Sequence, residues 1–364
     1  MPITGQSTLR APGESLRRFI AAALRRIGLP DEDAASVARL MADADLQGSD
    51  GHGVIRLPQY VQRIEAGGIN IRPDIRVVEE RAAMAVVDGD NGMGHLVVSR
   101  AVQIAIEKAR SAGVAWVGTR ASNHAGPASL YARMPLAHDM IGLYFAVGNA
   151  NHMTPWGGME MLLSTNPIAA GIPAGDEPAV VLDMATTVAA YGKVKAKAKR
   201  GEAMPEGWMI DREGRPLTDP KRAGEGFLLP IGGHKGYGLA LIVGLLAGTL
   251  HGAAMGRELV DFNADDRTPT NTGQAILVID LAAFGGAAPF KAAVDALVRD
   301  IRQSERLPGV ERIWLPGEQS HGKREAYGRD GVPLPAALAE DLDRLAERLG
   351  IEALERLPEP PGPA

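Results

Sequence analysis

Along the first part of the chain, apolar residues recur at steps of three and four. Leu16, Phe19, Ile20, Ala23, Leu24 and Ile27 form one such stripe, with Arg17, Arg18, Arg25 and Arg26 largely beside it. This pattern predicts an amphipathic helix that Gly28, Leu29 and Pro30 end. A second helix starts near Asp31 and turns Ala34, Val37, Ala38 and Met41 inward before Gly48 interrupts it. His52, Arg56 and Tyr60 follow at four-residue intervals within 51–64, a spacing that puts all three on one face if the segment is helical. The period then changes. Residues 76–79 and 82–87 read as two strands of a hairpin, and Asp88-Gly-Asp-Asn-Gly92 supplies the next turn.

Beyond Gly94 the pattern alternates. Val97, Val98, Ala101, Val102 and Ala105 predict a helix, 114–117 a short buried strand, 127–134 another helix and 141–146 a strand. Such alternation predicts an α/β fold, while the early hairpin argues against a wholly parallel sheet. Further on, 179–182 reads as a strand ending at Asp183, 236–250 as a buried helix, 275–279 as a strand and 289–302 as an amphipathic helix. The proline-dense Pro358 to Ala364 reads as a frayed tail.

Size and composition narrow the possibilities. A chain of 364 residues, 45% of them hydrophobic, is long enough for two domains. Its 44 glycines and 25 prolines imply many tight turns. With 39 basic against 44 acidic residues the formal charge is −5, which gives no general attraction to nucleic acid. The absence of cysteine excludes disulfides, thiolate catalysis and cysteine-ligated metal centres. The start has neither the basic residues nor the apolar run of a signal peptide, and no window offers about 20 uninterrupted apolar residues. A cytoplasmic protein without membrane contact is the expectation.

Several groups carry candidate chemistry. His52 suits proton exchange with an alcohol or carbonyl, Arg56 suits a bidentate pair with a carboxylate, and Tyr60 offers a hydroxyl or a packing edge. His124, within Ser122-Asn-His-Ala-Gly126, follows a short strand where an α/β sheet presents its ligand crevice. The eight histidines include no His-Glu-x-x-His pair, so no catalytic metal is expected. No strand leads into Gly-x-Gly-x-x-Gly, and there is no phosphate loop ending in Gly-Lys-Ser/Thr. Three less standard loops could approach a phosphate: Pro155-Trp-Gly-Gly158, Asp183-Met-Ala-Thr-Thr187 and Gly232-Gly-His-Lys-Gly-Tyr-Gly238. The basic run Lys193, Lys195, Lys197, Lys199 and Arg200 has no interleaved aromatic platform and reads first as a solvated face, then as a mouth attracting an anion.

Taken in order, Asp50-Gly-His-Gly-Val-Ile-Arg-Leu-Pro-Gln-Tyr60, Ser122-Asn-His-Ala-Gly126, Pro155-Trp-Gly-Gly158, Thr165-Asn-Pro-Ile168, Asp183-Met-Ala-Thr186, Gly192-Lys193 and Gly232-Gly-His-Lys-Gly-Tyr-Gly-Leu239 resemble the malate/L-lactate dehydrogenase family of non-Rossmann type. That family includes ureidoglycolate, sulfolactate and diketogulonate oxidoreductases and a piperideine-carboxylate reductase. The resemblance implies a three-layer α/β/α sandwich with a mixed sheet like that of sulfolactate dehydrogenase, plus a helical N-terminal region. It also implies an NAD(P)-binding domain over 116–289, inserted into a helical substrate and dimerisation domain made of 1–115 with 290–364, and a homodimer. The implied reaction is hydride exchange between NAD or NADP, with a lean to NAD, and a small 2-hydroxy acid/2-oxo acid pair. Alternatives are reduction of a cyclic imine carboxylate, or a catalytically weakened NAD(P)-binding protein.

Residue by residue, the resemblance puts His52 at a proton-donor position and His124 at a second catalytic position, with Arg56 and Tyr60 facing substrate. Asp183, Met184, Ala185, Thr186 and Thr187, then His234 and Lys235, and more weakly Gly317, Glu318 and Gln319, fall at cofactor-contacting loops. One departure stands out. Gly51 occupies the substrate-side position where relatives usually carry serine. Lys197, Lys199 and Arg200 would suit the extra phosphate of NADP if they face it.

Overall fold

The computed structural model describes residues 9–49 and 51–357. The N-terminal octapeptide, Asp50 and the expected frayed tail lie outside the described residues. In chain order the first elements are β1 (Leu9–Ala11), α1 (Gly13–Arg26), α2 (Asp31–Leu46), α3 (Leu57–Glu65), β2 (Arg76–Arg81), β3 (Met84–Asp88), α4 (Gly94–Ala112) and β4 (Val114–Ser122). Next come α5 (Ser129–Ala132), β5 (Met140–Ala146), β6 (Ile168–Ile172), β7 (Val180–Met184), α6 (Tyr191–Arg200), β8 (Met209–Asp211), β9 (Gly226–Leu228) and α7 (His234–Ala247). The chain continues through β10 (Thr272–Asp280), α8 (Ala287–Gln303), α9 (Glu318–Asp330), β11 (Val332–Leu334) and α10 (Ala336–Leu349).

Seven strands form the central sheet in the order β2-β3-β4-β10-β5-β6-β7. Only β3 and β4 are parallel; every other neighbouring pair is antiparallel. The sheet is therefore mixed and unlike the parallel sheet of a Rossmann fold. The hairpin β2–β3 supplies its edge, and Asp90 and Asn91 take positive φ in the turn after it, a conformation that Asn and Asp tolerate better than most residues.

Alternation along the strands gives the sheet two covered faces. Met140, Tyr144, Val117, Ile276 and Val278 are buried in one core with Val97, Val98, Ala101 and Ala105 of α4 and Leu130 and Tyr131 of α5. On the opposite face Trp116 stacks on Phe145 and donates its indole N–H to His251 at 2.9 Å. A Cβ at Gly118 would strike that imidazole, so glycine permits the close approach. The helix α7 packs on this side. Three layers result.

A second core joins the ends of the chain. Leu16, Phe19 and Ile20 of α1, Val37 and Met41 of α2, Tyr60 and Val61 of α3 and Leu342 and Leu345 of α10 are buried together with Phe262. The short antiparallel pair β1–β11 fastens Leu9 opposite Leu334. The helical region is thus assembled from both termini. The expected boundaries at 115/116 and 289/290 run through β4 and α8, and β2 and β3 belong to the same sheet as β4. Strand pairing, a tertiary property, ties the two sequence segments into one sheet.

The structure settles the open condition on 51–64 and corrects one expectation. Residues 51–64 are not one helix: a turn at 51–53 leads through a tight helical turn at Val54–Arg56 into α3. The buried Asp45 carboxylate of α2 accepts the Val54 N–H at 2.8 Å, and a Cβ at Gly53 would collide with it. Nor is α7 buried all round. Gly236, Ala240, Val243, Gly244 and Ala247 face inward, while Leu239, Ile242 and Leu245 are exposed. The described residues also form β1, β6, α6, β8, β9, α9, β11 and α10, which the pattern reading does not assign. In α9, Glu318–Asp330 has no apolar stripe to signal it.

Candidate active site

The broken helix delivers His52 and Arg56 from a turn that Asp45 holds, and Tyr60 from the first turns of α3. The His124 side chain enters from the loop after β4, 72 residues beyond His52. Their rings lie parallel, with centroids 5.6 Å apart and planes inclined by 13°. Tyr60 is fully buried, and its hydroxyl lies 2.5 Å from His124 Nδ1. Phe262 closes the far side, 5.5 Å from the His124 ring and 5.8 Å from Tyr60.

Tyr60 has no surface exposed, and its hydroxyl is buried against His124. Burial raises its pKa, so it keeps its proton. Among the described residues the hydroxyl has His124 as its hydrogen-bond partner. A phenol that donates to Nδ1 leaves the proton of neutral His124 on Nε2.

Both imidazoles are neutral at pH 7. Burial, followed by the charge of Arg56, lowers His52 to about 4. The same causes, with His52 and His95 adding to them, hold His124 well below the ordinary histidine value. A neutral imidazole accepts a proton; it becomes a donor only after something offsets the positive field. His95, which sequence reasoning missed, is a fully buried imidazole standing edge-on to Tyr60 at 5.5 Å. Neither of its ring nitrogens has a hydrogen-bond partner among the described residues.

Arg56 is held by neutral oxygens. Its Nε donates to the Gly51 carbonyl at 2.8 Å, and Nη1 donates to Gln59 Oε1 at 3.0 Å and Asn263 Oδ1 at 3.2 Å. No carboxylate among the described residues forms an ion pair with it. Its charge remains available to an incoming carboxylate. Gly51 itself has open space on its side-chain side: a Cβ there would meet no described atom within 4 Å beyond its chain neighbours.

Several distant segments converge beside this group. The Ser129 N–H, just beyond the His124 loop, donates to the Asp183 carboxylate at 2.8 Å, and Gln47 at the end of α2 donates to the Ser129 hydroxyl at 3.2 Å. The 183–187 loop in turn runs beside 229–231, with the Ile231 N–H donating to the Thr186 carbonyl at 3.0 Å and Val188 N–H to the Leu229 carbonyl at 2.8 Å. Gly232 and Gly233, both at positive φ, then open α7, and the Trp156 ring lies against Gly233 and edge-on to His234.

Within these loops the side chains sort themselves. Asp183, His234 and Lys235 are exposed, and Met184 and Ala185 are partly so. Thr186 and Thr187 are buried, and their hydroxyls donate to the carbonyls of Thr165, Asn166 and Ala189, so they are not free for a phosphate. Gly317 is needed at φ +89, where a Cβ would press on the Val181 backbone. Glu318 is tied down by Arg302, Arg312 and the Leu315 N–H, which leaves Gln319 as the exposed member of that trio. Lys197 and Arg200 both pair with Glu202. Among the described residues no group of three or more metal-ligating carboxylates or histidines comes together, and no helix is long and apolar enough to cross a membrane.

Residues 12–343 match the family model described as malate/L-lactate dehydrogenase. Among characterised relatives, the malate dehydrogenase of Pyrococcus horikoshii is 38% identical over 358 residues, covering 96% of this chain and 98% of its own. An L-sulfolactate dehydrogenase of Methanocaldococcus jannaschii is 38% identical over 338 residues, covering 93% and 96%. A ureidoglycolate dehydrogenase (NAD(+)) of Escherichia coli is 32% identical over 321 residues, covering 88% and 91%. The solved structure of the Pyrococcus horikoshii malate dehydrogenase superposes with a TM-score of 0.89 at 35% identity, covering 97% of this chain and 99% of that one. With the overall structure and a sequence match over nearly the whole chain in agreement, this chain belongs to the malate/L-lactate dehydrogenase family.

Proposed function

We propose that the protein is an NAD(P)-dependent oxidoreductase that interconverts a small 2-hydroxy acid and its 2-oxo acid. The observation that carries this reading is an arginine without a carboxylate partner among the described residues, beside two parallel neutral imidazoles. Arg56 would bind the substrate carboxylate and so place the adjacent C2 oxygen beside the histidines. The neutral His52 then takes the hydroxyl proton as the alcohol is oxidised. Nε2–H of His124, held in that tautomer by Tyr60, donates a hydrogen bond to the same oxygen. In the reverse direction His52 must first be protonated, and the bound carboxylate helps by offsetting the field of Arg56.

The residues present fit a dinucleotide in part. The first backbone N–H groups of α7, with no side chain capping them, would receive a pyrophosphate. The exposed His234 and Lys235 open that helix, Asp183 begins the neighbouring 183–187 loop, and the hydroxyls of Thr186 and Thr187 take no part. When bound, NAD(P) supplies or accepts the hydride. Pairing of Lys197 and Arg200 with Glu202 supports the lean to NAD over NADP. The exposed Leu239, Ile242 and Leu245 of α7 support a homodimer, and a cytoplasmic location belongs to the same reading.

The test is titration with NADH and NADPH at one ionic strength, followed by absorbance assays with malate, lactate, sulfolactate and ureidoglycolate. Turnover of one of these with NAD(H) or NADP(H) is expected. Turnover confined to piperideine-carboxylate would replace the substrate class, cofactor binding without any turnover would favour a weakened enzyme, and failure to bind either cofactor would reject the reading. Light scattering on the eluted protein checks the dimer; a monomer would remove it.

A further inference from the structure

The two amides that touch Arg56 are each turned by a second partner. Gln59 donates its Nε2 to the Phe262 carbonyl at 3.0 Å, which leaves Oε1 facing Arg56. Asn263 donates both its backbone N–H, at 2.8 Å, and its Nδ2, at 3.1 Å, to one oxygen of Asp261, which leaves Oδ1 facing Arg56. The segment between is fixed as well: Phe262 is fully buried, and its N–H donates to the Asn149 carbonyl at 3.0 Å. Without these partners either amide could rotate and set an NH2 group against the guanidinium.

We propose that Gln59 and Asn263, the latter oriented by Asp261, are positioning residues that hold Arg56 with neutral oxygens and so set the affinity for the substrate carboxylate. This inference rests on Arg56 being the carboxylate clamp. A carboxylate in place of either amide would lose the N–H donation that turns the side chain, yet would pair with the guanidinium, compensate its charge and compete with the substrate. An amide needs no desolvated countercharge to be displaced. Asp261 supplies the negative charge of the local network one residue removed from Arg56, where it orients without pairing.

Charge compensation orders the variants differently from a loss of packing. For packing alone, an isosteric replacement is milder than truncation. Here the isosteric Gln59→Glu should be worse than Gln59→Ala. The exchange Asp261→Asn with Asn263→Asp moves the same carboxylate next to Arg56 while conserving the net charge. Each variant is assayed with whichever of malate, lactate, sulfolactate and ureidoglycolate the wild type turns over best. Gln59→Glu and the exchange should each raise KM roughly 10-fold or more, with kcat within about 3-fold and the NADH Kd unchanged, because binding energy common to ground and transition states is lost. Gln59→Ala should raise KM only about 2- to 3-fold, the loss of one orienting contact. Equal effects of Gln59→Ala and Gln59→Glu, or an unchanged KM in the exchange variant, would overturn the proposal. Arg56→Ala separates the two levels. If it leaves KM unchanged, the clamp reading has failed; if it raises KM while the amide variants do not, only the role of the amides has failed.

Discussion

Tyr60→Phe isolates the hydrogen bond behind the catalytic pair. The substitution removes one hydroxyl from a fully buried ring and leaves the contacts with Phe262 and His95 in place. What is lost is the 2.5 Å bond to His124 Nδ1 and, with it, the constraint on the tautomer. A hydrogen bond of this kind is worth about 0.5 to 1.5 kcal/mol net, so kcat should fall roughly 2- to 12-fold. A second readout has a definite sign. Donation by the phenol occupies the lone pair that a proton would need, and so favours neutral His124. Removing it lets the His124 pKa rise from its depressed position, and the acid limb of kcat/KM should move to higher pH. Steady-state assays of NADH absorbance over a pH series give both quantities, and circular dichroism checks the fold. If kcat and the acid limb both stayed at their wild-type values, Tyr60 would not set the tautomer of His124. A lower kcat with an unmoved acid limb would assign it to packing alone.

His52→Ala should lower kcat by roughly 10² to 10⁴ with NADH affinity retained, since a proton-transfer group is removed; near-normal turnover would transfer that role to His124. Gly51→Ser adds a side chain where nothing described lies within 4 Å, so the melting temperature should hold while KM or kcat changes through the new hydroxyl beside His52; kinetics identical to the wild type would show that this position does not reach the substrate. His95 predicts acid lability. Burial lowers its pKa from 6.5 to about 3, so the unfolded chain binds a proton that the folded one refuses, and stability is lost as pH falls from about 6.5 toward 3. At pH 5 its share is about 2 kcal/mol relative to pH 7.5, a value set mainly by the unfolded state. His95→Leu should flatten the urea-midpoint profile over that interval; parallel profiles for the two proteins would contradict the assignment.

Much of the architecture was legible in local pattern because amphipathic periods follow directly from which faces are buried. The stripes of α1 and α2, the β2–β3 hairpin and the strands that became β4, β5, β7 and β10 are of this kind. The helix α10 also carries such a stripe, in Leu338, Leu342, Leu345 and Leu349, which is the signal by which it can be found. Other features had no local signature. The spacing of His52, Arg56 and Tyr60 matches a helix, yet the carboxylate of Asp45 reshapes the start of that segment, and a pattern along 51–64 contains no information about α2. The exposed apolar side of α7 likewise depends on what lies against it.

The sequence alone determined which chemical groups the protein owns: two histidines in glycine-bearing loops, an arginine one step from the first of them, and no thiol. It also carried the ordered motifs of the family. Only the tertiary structure decided how those groups act. It set His52 parallel to His124 across 72 residues, buried the Tyr60 hydroxyl against His124, and turned the hydroxyls of Thr186 and Thr187 inward. It also brought Gln59 and Asn263 to Arg56 from separate segments. Pattern along a chain reports local burial, whereas protonation, tautomer and free charge depend on neighbours that the chain brings together only when it folds.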